Sequence, residues 1–290
     1  MAYLFNQIMS GITLGCSYAL VGAGMSLIWG TLQLINLAHG ELYMLGAYMA
    51  WLAIKVGGVP VIPGILIGVI CAAAIFFVIQ FLTVRPLLAQ SGDRGNSPYI
   101  LTMGLSILLQ NVALRVFGER YQNIPYYLDK TYKIGGLTIA GQRLLVIVSS
   151  IIVIVALMWV MNNTKLGRGI RAVAQDGEYA PIMGVNSSKM YTVTYMIAGT
   201  LAAFAGIMLA AIYSVNPWMG TQVQTKGLAC CVLGGLGSFE GAIVGGMIIG
   251  IAEALATMLI GAEWKDMVAY LILVVVLWVK PSGLFGKKGG

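Results

Sequence analysis

The sequence predicts an all-α polytopic membrane protein of about eight transmembrane helices, one of them broken or re-entrant. Of its 290 residues, 59% are hydrophobic and only 9% are charged, against about 25% charged residues in soluble domains. A soluble fold of this size could not bury so much apolar surface. In addition, 21 of the 27 charges fall in five segments: 84–98, 118–143, 163–189, 261–266 and 280–290. Long apolar stretches between charged connectors exclude a soluble enzyme, a nucleic-acid binder and a disordered chain.

Seven apolar stretches are clear spans, and the longer ones can cross a hydrocarbon core about 30 Å thick at about 1.5 Å per residue. They cover residues 5–30, 34–54, 61–83, 99–117, 143–161, 190–213 and 267–279. Because residues 1–38 contain no Lys or Arg, they lack the basic start of a cleavable signal peptide, and we expect the first stretch to remain as a membrane helix. The fifth stretch is almost purely Val, Ile and Leu, which predicts a lipid-facing helix.

The region 214–262 is rich in glycine and interrupted. Its segment GLACCVLGGLG (227–237) is too short to span and is predicted to be a half-helix or re-entrant piece. Irregular backbone at membrane depth is tolerated only inside protein or along a water-filled cavity, so we expect 227–241 to line a pathway. The glycine density at 234–246 indicates backbone close to a substrate, or a hinge. Elsewhere, glycine pairs four residues apart predict close helix packing: Gly11 and Gly15, Gly64 and Gly68, Gly241 and Gly245, and Gly246 and Gly250.

Four of the ionisable residues within or beside the apolar stretches are candidates for a specific role. An ionisable side chain at the centre of a membrane helix costs about 2.5–3.5 kcal/mol on insertion scales, so it is expected to face protein or water. His39 and Glu41 are two positions apart, about 200° around a helix, and cannot share a face. They could line a substrate path or relay protons, or they could lie near a helix end at the membrane interface and hydrogen-bond to neighbouring helices. Glu253 is predicted to fix packing through an interhelical hydrogen bond, and Glu240 to cap a helix N-terminus.

The connector 163–189 carries acidic residues followed by small ones. Asp176 and Glu178 precede Ala180 and Gly184, a pattern that can open a short helix lying along a membrane surface. Such a helix would dock a partner protein. The alternative is a solvated loop.

The sequence shows no sign of its own catalytic chemistry. It has no GxxxxGK[ST] phosphate loop, no Ser/His/Asp constellation, and a single histidine, which excludes a multi-histidine metal site. Its four cysteines (Cys16, Cys71, Cys230 and Cys231) lie inside apolar stretches without metal-ligand spacing and are predicted to be small buried hydrophobes. We therefore expect a subunit that is not an enzyme and binds no cofactor directly.

Three segments resemble the Liv-type permeases, the membrane subunits of ABC importers for branched-chain amino acids. The stretch 14–48 resembles the N-terminal signature of that family, with matches at Asn36, Ala38, His39, Gly40, Glu41, Met44, Gly46, Ala47 and Tyr48. The segment RAVAQDGEYAPIMGVN (171–186) is similar to the cytoplasmic coupling segment, although Tyr179 replaces an expected Ala and Pro181 follows. The segment GGLGSFEGAIVGG (234–246) is similar to the Gly-rich broken helix. The chain length resembles that of the smaller of two paired permeases.

The resemblance implies one transmembrane permease domain over residues 1–290, moved by ATP that separate ATPase subunits bind and hydrolyse. It places the loop 163–189 in the cytoplasm, and the N-terminus and loop 118–142 outside the cell (inner) membrane, which the nearly balanced loop charges could not decide. The implied partners are ABC ATPase subunits, a second permease subunit, an extracytoplasmic solute-binding protein and the amino acid substrate, with no nucleic acid. The residues predicted to couple to the ATPases are Asp176, Glu178, Ala180 and Gly184. Those predicted to line the substrate pathway are Asn36, His39, Glu41, Gly234, Gly235, Gly237 and Glu240.

Three other functions stay open at this point. A urea or amide ABC permease would share much of the same signature. A secondary transporter would use His39, Glu41 or Glu253 to carry protons and would need no ATPase. An assembly or scaffold protein would need neither a water-accessible path nor a coupling loop.

Overall fold

The computed structural model describes residues 2–84, 97–134 and 137–286. Within these ranges it has ten α-helices and one antiparallel two-stranded ribbon, which confirms the all-α prediction. In chain order they are α1 (Ala2–Leu32), α2 (His39–Trp51), α3 (Val61–Ile79), α4 (Ser97–Phe117), β1 (Thr131–Ile134), β2 (Leu137–Ala140), α5 (Gly141–Asn163), α6 (Lys165–Gln175), α7 (Ser187–Ala210), α8 (Met219–Gly234), α9 (Phe239–Leu259) and α10 (Lys265–Val279). Most of the charged segment 84–98 and the last lysines of the tail lie outside the described residues.

Six of these helices are long and apolar enough to cross a membrane: α1, α3, α4, α5, α7 and α9. Three others are shorter and pack among or beside them. Helix α2 has 13 residues and is prolonged by a π-helical turn (Leu52–Val56), α8 has 16 residues and α10 has 15. The chain is therefore a multi-pass membrane protein that combines full spans with helices too short to cross alone.

Two short helices differ in extent from their predicted segments. The second span was expected to begin at residue 34, but α2 begins at His39. Gln33 has a left-handed φ of 53°, and the residues between it and His39 are not helical. This irregular segment leads from the end of α1 to a helix start that is buried inside the bundle. The broken segment was expected over 227–237, but α8 begins earlier, at Met219. At about 24 Å (16 residues at about 1.5 Å each) it is a half-helix, as predicted, and not a re-entrant loop.

Helix α1 is the central element of the bundle. In its most apolar stretch 89% of the residues are buried, against 22% in α3, 11% in α4 and 28% in α5. The exposed apolar faces of the last three suit lipid, as the sequence predicts for α5. Along α9, α1 packs through the predicted glycine pairs: a Cβ built on Gly11 would come 2.8 Å from the Ala254 Cβ.

The bundle has two distinct ends. The ribbon β1–β2 marks one, which we call the hairpin end. There Gln122 and Val215 exchange backbone hydrogen bonds of 2.9 and 2.8 Å, and the Tyr127 hydroxyl donates to the Ile207 carbonyl at 2.8 Å. Burial raises the pKa of this hydroxyl. The other end carries α6, and we call it the α6 end. Arg171 on α6 donates there to the carbonyl of Met161, in the last turns of α5.

The glycine contacts predict a sharp difference between two substitutions. A methyl group on Gly246 would overlap the backbone of Ala19, whereas one on Gly104, in the exposed helix α4, would meet nothing within 4 Å. We expect Gly246→Ala to destabilise the fold by about 1–3 kcal/mol through overpacking. Gly104→Ala should be neutral or stabilising by up to about 1 kcal/mol, since alanine is the better helix former. Thermal unfolding of both variants in detergent tests this, and equal melting temperatures would contradict it.

Candidate functional site

Helices α2 and α8 begin with the same turn. Asn36 precedes α2 by three residues, and its Oδ1 accepts a hydrogen bond of 3.0 Å from the Ala38 N–H. Asn216 precedes α8 by three residues, and its Oδ1 accepts a hydrogen bond of 3.0 Å from the Trp218 N–H. Asparagine favours this local turn because its side chain can bind backbone two residues on. Asn36, which the sequence predicts to line the pathway, therefore shapes the start of α2.

The N-termini of the two short helices lie against each other. A Cβ on Gly40 would overlap the carbonyl of Gly220, so only glycine permits this approach. Gln224, in the second turn of α8, bonds twice to the start of α2: its Oε1 accepts from the Gly40 N–H at 2.5 Å, and its Nε2 donates to the Asn36 carbonyl at 3.0 Å. Exposed N–H groups at the start of a helix must find partners when no water is near. Gln224 therefore supplies a buried acceptor for one N–H group in the first turn of α2.

Glu41 occupies the junction between α2 and α8. Only 1% of its surface is exposed, and its Oε1 accepts from the Ser106 hydroxyl at 2.9 Å and the Thr221 hydroxyl at 3.4 Å. Its Oε2 accepts no hydrogen bond from the described residues and lies beside Gly220. The carboxylate stands in the first turn of α2 and next to that of α8, where both helix dipoles favour negative charge.

His39 faces away from Glu41, as their spacing predicted. Its imidazole is fully buried and lies against Gly24 of α1, near the Ala198 carbonyl of α7. Both residues lie at a helix end, as one alternative expected, and Glu41 hydrogen-bonds to a neighbouring helix, but neither ring nitrogen of His39 has a hydrogen-bond partner among the described residues. The helix end is also buried inside the bundle, whereas that alternative placed it at the interface. A role for His39 or Glu41 in a substrate pathway stays a prediction.

From this junction the two helices run to opposite ends of the bundle. Further along α2, Ala50 lies beside Gly68 and Ile207, close to the hairpin end. The last residues of α8 lie at the α6 end, where Leu233 accepts a hydrogen bond of 2.9 Å from the Leu284 N–H of the tail. Helix α2 thus leads from the junction towards the hairpin end, and α8 leads from it to the α6 end.

A cavity of about 440 Å³ opens at the hairpin end, and charged residues line it. Lys226 of α8 forms ion pairs with Glu253 of α9 and with Asp266 of α10, the second at 2.7 Å. The Tyr18 hydroxyl of α1 donates to the Glu253 Oε2 at 3.0 Å. The predicted interhelical hydrogen bond of Glu253 is therefore confirmed, and the ion pair adds to it. Lys226 and Asp266 were missed, because their pairing depends on how three helices pack.

The glycine-rich segment forms the turn between α8 and α9 at the α6 end. Gly235 (φ 104°) and Gly237 (φ 84°) take backbone angles that other residues rarely adopt, and the backbone of Gly234 packs on that of Gly241. This close packing accounts for part of the glycine density. The turn borders a second cavity, about 760 Å³, beside α6. The pathway role of Gly234, Gly235 and Gly237 stays a prediction.

The start of α9 is capped by a serine. The Ser238 hydroxyl accepts a hydrogen bond of 3.1 Å from the Gly241 N–H. Glu240 lies in the first turn, where its charge suits the helix dipole as predicted, but its side chain is not the hydrogen-bonding cap. Glu240 is exposed and borders the cavity beside α6.

The loop 163–189 is more ordered than predicted. Its main helix, α6, comes before the acidic residues and ends at Gln175, with Asp176 as its C-cap. The Asp176 Oδ1 accepts from the N–H groups of Glu178 (2.9 Å) and Tyr179 (3.1 Å), and one 3₁₀ turn, Ala180–Met183, follows. The short helix expected after the acidic residues is thus a single turn. Pro181 suits its start because a proline there gives up no needed N–H.

This turn presents apolar side chains to the outside. Ile182 and Met183 are 78% and 83% exposed, whereas Ala180 is 5% exposed and anchors the turn. Gly184 ends it with a φ of 79°, a left-handed angle that favours glycine. Three of the four residues predicted for coupling, Asp176, Ala180 and Gly184, therefore shape or anchor the turn, and Glu178 contributes only its backbone N–H. Ile182 and Met183 form the exposed surface of the turn.

Comparison with known proteins assigns this architecture to a family. Residues 7–277 match the model of the permease component of branched-chain amino acid transport systems. The chain is 31% identical to the high-affinity branched-chain amino acid transport permease LivH of Escherichia coli K12, over 98% of this chain and 96% of LivH. It is 33% identical, with the same coverage, to BraD of Pseudomonas aeruginosa, which carries the same description. The probable LivH of Methanocaldococcus jannaschii is 25% identical over 92% of this chain and 88% of its own length.

The junction predicts a specific cost for losing Gln224. Gln224→Ala removes the acceptor of a buried N–H and the donor to a buried carbonyl. Each unsatisfied buried group costs about 1–3 kcal/mol, so the melting temperature in detergent should fall by several degrees. Gln222→Ala is the matched control, because it makes the same truncation at an exposed position of α8. A Gln224→Ala protein as stable as this control would contradict the assigned role.

Proposed function

The chain belongs to the family of permease components of branched-chain amino acid transport systems, and we propose that it carries branched-chain or other hydrophobic amino acids into the cell. It does so as a membrane subunit of an ATP-driven ABC importer. The observation that carries the substrate assignment is the similarity along 98% of the chain to relatives described as high-affinity branched-chain amino acid permeases. The membrane helices and the polar cavity among them suit that role.

The α6 end faces the cytoplasm in this proposal and binds the ATPase subunits. Two exposed apolar side chains, Ile182 and Met183, form a knob that a soluble partner would cover. Asp176, Ala180 and Gly184 hold the knob in shape, which is their role in coupling, and the charge of Glu178 lies beside the knob for the partner to contact. ATP is bound and hydrolysed in the partner subunits, and this chain binds no cofactor of its own.

The hairpin end faces the outside of the cell (inner) membrane and receives the substrate from a solute-binding protein. It carries the N-terminus of α1, which Arg143 holds by donating to the Asn6 carbonyl at 3.2 Å. Its loop 118–142 displays exposed tyrosines, Tyr121 and Tyr126 among them, and aromatic side chains are common in protein interfaces. A second permease subunit completes the membrane part of the importer.

Alternating access follows from the way the short helices are placed. Helix α6 packs on α5, α1 and α7, so movement of the coupling turn reaches the core of the bundle directly. Helices α2 and α8 meet in its interior and lead to opposite ends. A shift of α8 against α2 at the Gly40–Gly220 contact would open one side of the junction as it closes the other.

Uptake into liposomes tests the proposed function. The assembled importer should take up L-leucine only with ATP inside and the solute-binding protein outside, and excess L-valine should compete. Uptake driven by a proton gradient without ATP would contradict the proposal and support a secondary transporter. Competition by urea or amides, with none by amino acids, would support an importer of those substrates.

The knob predicts a defect in coupling that leaves the fold intact. The double variant Ile182→Asp, Met183→Asp places two charges where an apolar contact is proposed, so the ATPase subunits should no longer copurify and uptake should fall at least tenfold. The control is Tyr126→Asp, because Tyr126 lies at the hairpin end and is 55% exposed. This variant should retain the ATPase subunits. Copurification and uptake by the double variant at the control level would rule out the knob as the docking site.

A further inference from the structure

We propose that the cavity at the hairpin end binds the charged head group of the transported amino acid. Its α-ammonium would pair with Asp266 and Glu253, and its α-carboxylate with Lys226. The inference rests on the proposed function and deepens it, because it names the groups that recognise a zwitterion. The comparisons leave these three residues unassigned.

Burial of the Lys226 and Glu253 charges argues against a role in packing alone. The side chains of Lys226 and Glu253 are 7% and 2% exposed, although both lie in helices of a membrane protein. Removing an ion pair from water costs several kcal/mol per ion, and well-packed apolar residues often stabilise a fold as well or better. Ionisable groups inside membrane proteins therefore mark substrate or ion pathways by default. Here the pair borders a cavity large enough to admit a ligand.

Asp266 allows the ion-pair cluster of Lys226, Glu253 and Asp266 to exchange partners. Its side chain is 57% exposed, and it bonds Lys226 at 2.7 Å from the first turn of α10. Glu253, by contrast, is held from two sides by Lys226 and the Tyr18 hydroxyl. A substrate carboxylate can replace Asp266 on Lys226, and the released Asp266 can then pair with the substrate ammonium. The number of ion pairs is conserved or increased, so entry of the substrate strands no buried charge.

The walls of the cavity suit the rest of a hydrophobic amino acid. A volume of about 440 Å³ lies within the range of about 300–1,000 Å³ that is typical of small-molecule sites. Leu14, Leu209 and Val223 supply apolar surface, and Tyr43 and Tyr270 supply aromatic surface. The Lys226 ammonium lies 5.4 Å from the centre of the Tyr270 ring, a distance that permits a cation–π contact. Charged and apolar surfaces are thus both within reach of one leucine-sized molecule.

The cavity also lies on the delivery side. Tyr121 and Tyr213, which line it, flank the strand-like contact between Gln122 and Val215 that marks the hairpin end. In the proposed function this end receives substrate from the binding protein. A head-group site there would take the amino acid before it reaches the junction of α2 and α8.

Competition binding tests the head-group assignment without ATP or the binding protein. Radiolabelled L-leucine should bind the purified membrane complex and be displaced by unlabelled L-leucine or L-valine. Displacement by 4-methylpentanoate, which lacks the ammonium, and by 3-methylbutylamine, which lacks the carboxylate, should each need at least tenfold higher concentrations. Equal displacement by either analogue would overturn the assignment.

Variants locate the site. Asp266→Asn should raise the Kd for L-leucine and the KM of ATP-driven uptake at least tenfold, since the ammonium loses its exposed partner. Glu263→Gln, three residues away and also exposed, is the matched control and should change neither. The double variant Lys226→Gln, Glu253→Gln removes both buried charges together, leaves no unpaired ion, and should bind at least tenfold more weakly than wild type.

The outcomes separate this inference from the proposed function. If the wild-type importer takes up L-leucine with ATP but Asp266→Asn keeps the wild-type KM and Kd, the head-group site is wrong and the importer stands. If the wild-type importer takes up no amino acid, the proposed function fails and the inference with it. If the double variant does not fold, the Kd and KM of Asp266→Asn and the displacement by the two analogues still test the head-group site.

Discussion

A helix that begins inside a membrane protein must satisfy its first N–H groups without water, and the structure depends on how α2 does this against α8. Helix α2 starts buried within the bundle and α8 starts against it, each after an asparagine turn, at Asn36 and Asn216. They approach so closely that only glycine fits between them, and Gln224 of α8 hydrogen-bonds twice to the start of α2. Glu41 places a carboxylate where both helix dipoles favour it. Gly24 of α1, Ser106 of α4 and Ala198 of α7 lie around this junction.

The same constraint divides the molecule into two functional ends. Because α2 and α8 leave the junction in opposite directions, the charged cavity lies at the hairpin end and the coupling turn at the α6 end. Helix α1 connects both ends with the interior of the bundle, because it packs on α6, α7, α8 and α9. A signal from the coupling turn and a substrate at the cavity therefore act on one set of packed helices.

The sequence was informative where a local pattern decides the structure. Charge segregation predicted the membrane class, glycine spacing predicted the contact of α1 with α9, and the resemblance predicted the family. It was weaker where distant segments meet. Lys226 and Asp266 are 40 positions apart, and nothing in either local sequence indicates that they pair. The paired asparagine turns carry a visible signal, an asparagine four residues before a glycine in both regions, which identifies them only once both are recognised as helix starts.

The central claim is that the charged cavity and the coupling turn open to opposite sides of the membrane. Labelling of single introduced cysteines tests this in right-side-out vesicles, using a maleimide that cannot cross the membrane and with Cys71, the most exposed of the native cysteines, replaced by serine. The account predicts that Ser214→Cys, beside the cavity, is labelled in intact vesicles. Gln175→Cys, at the end of α6, should be labelled only after permeabilisation. Labelling of both positions from the same side would contradict the account.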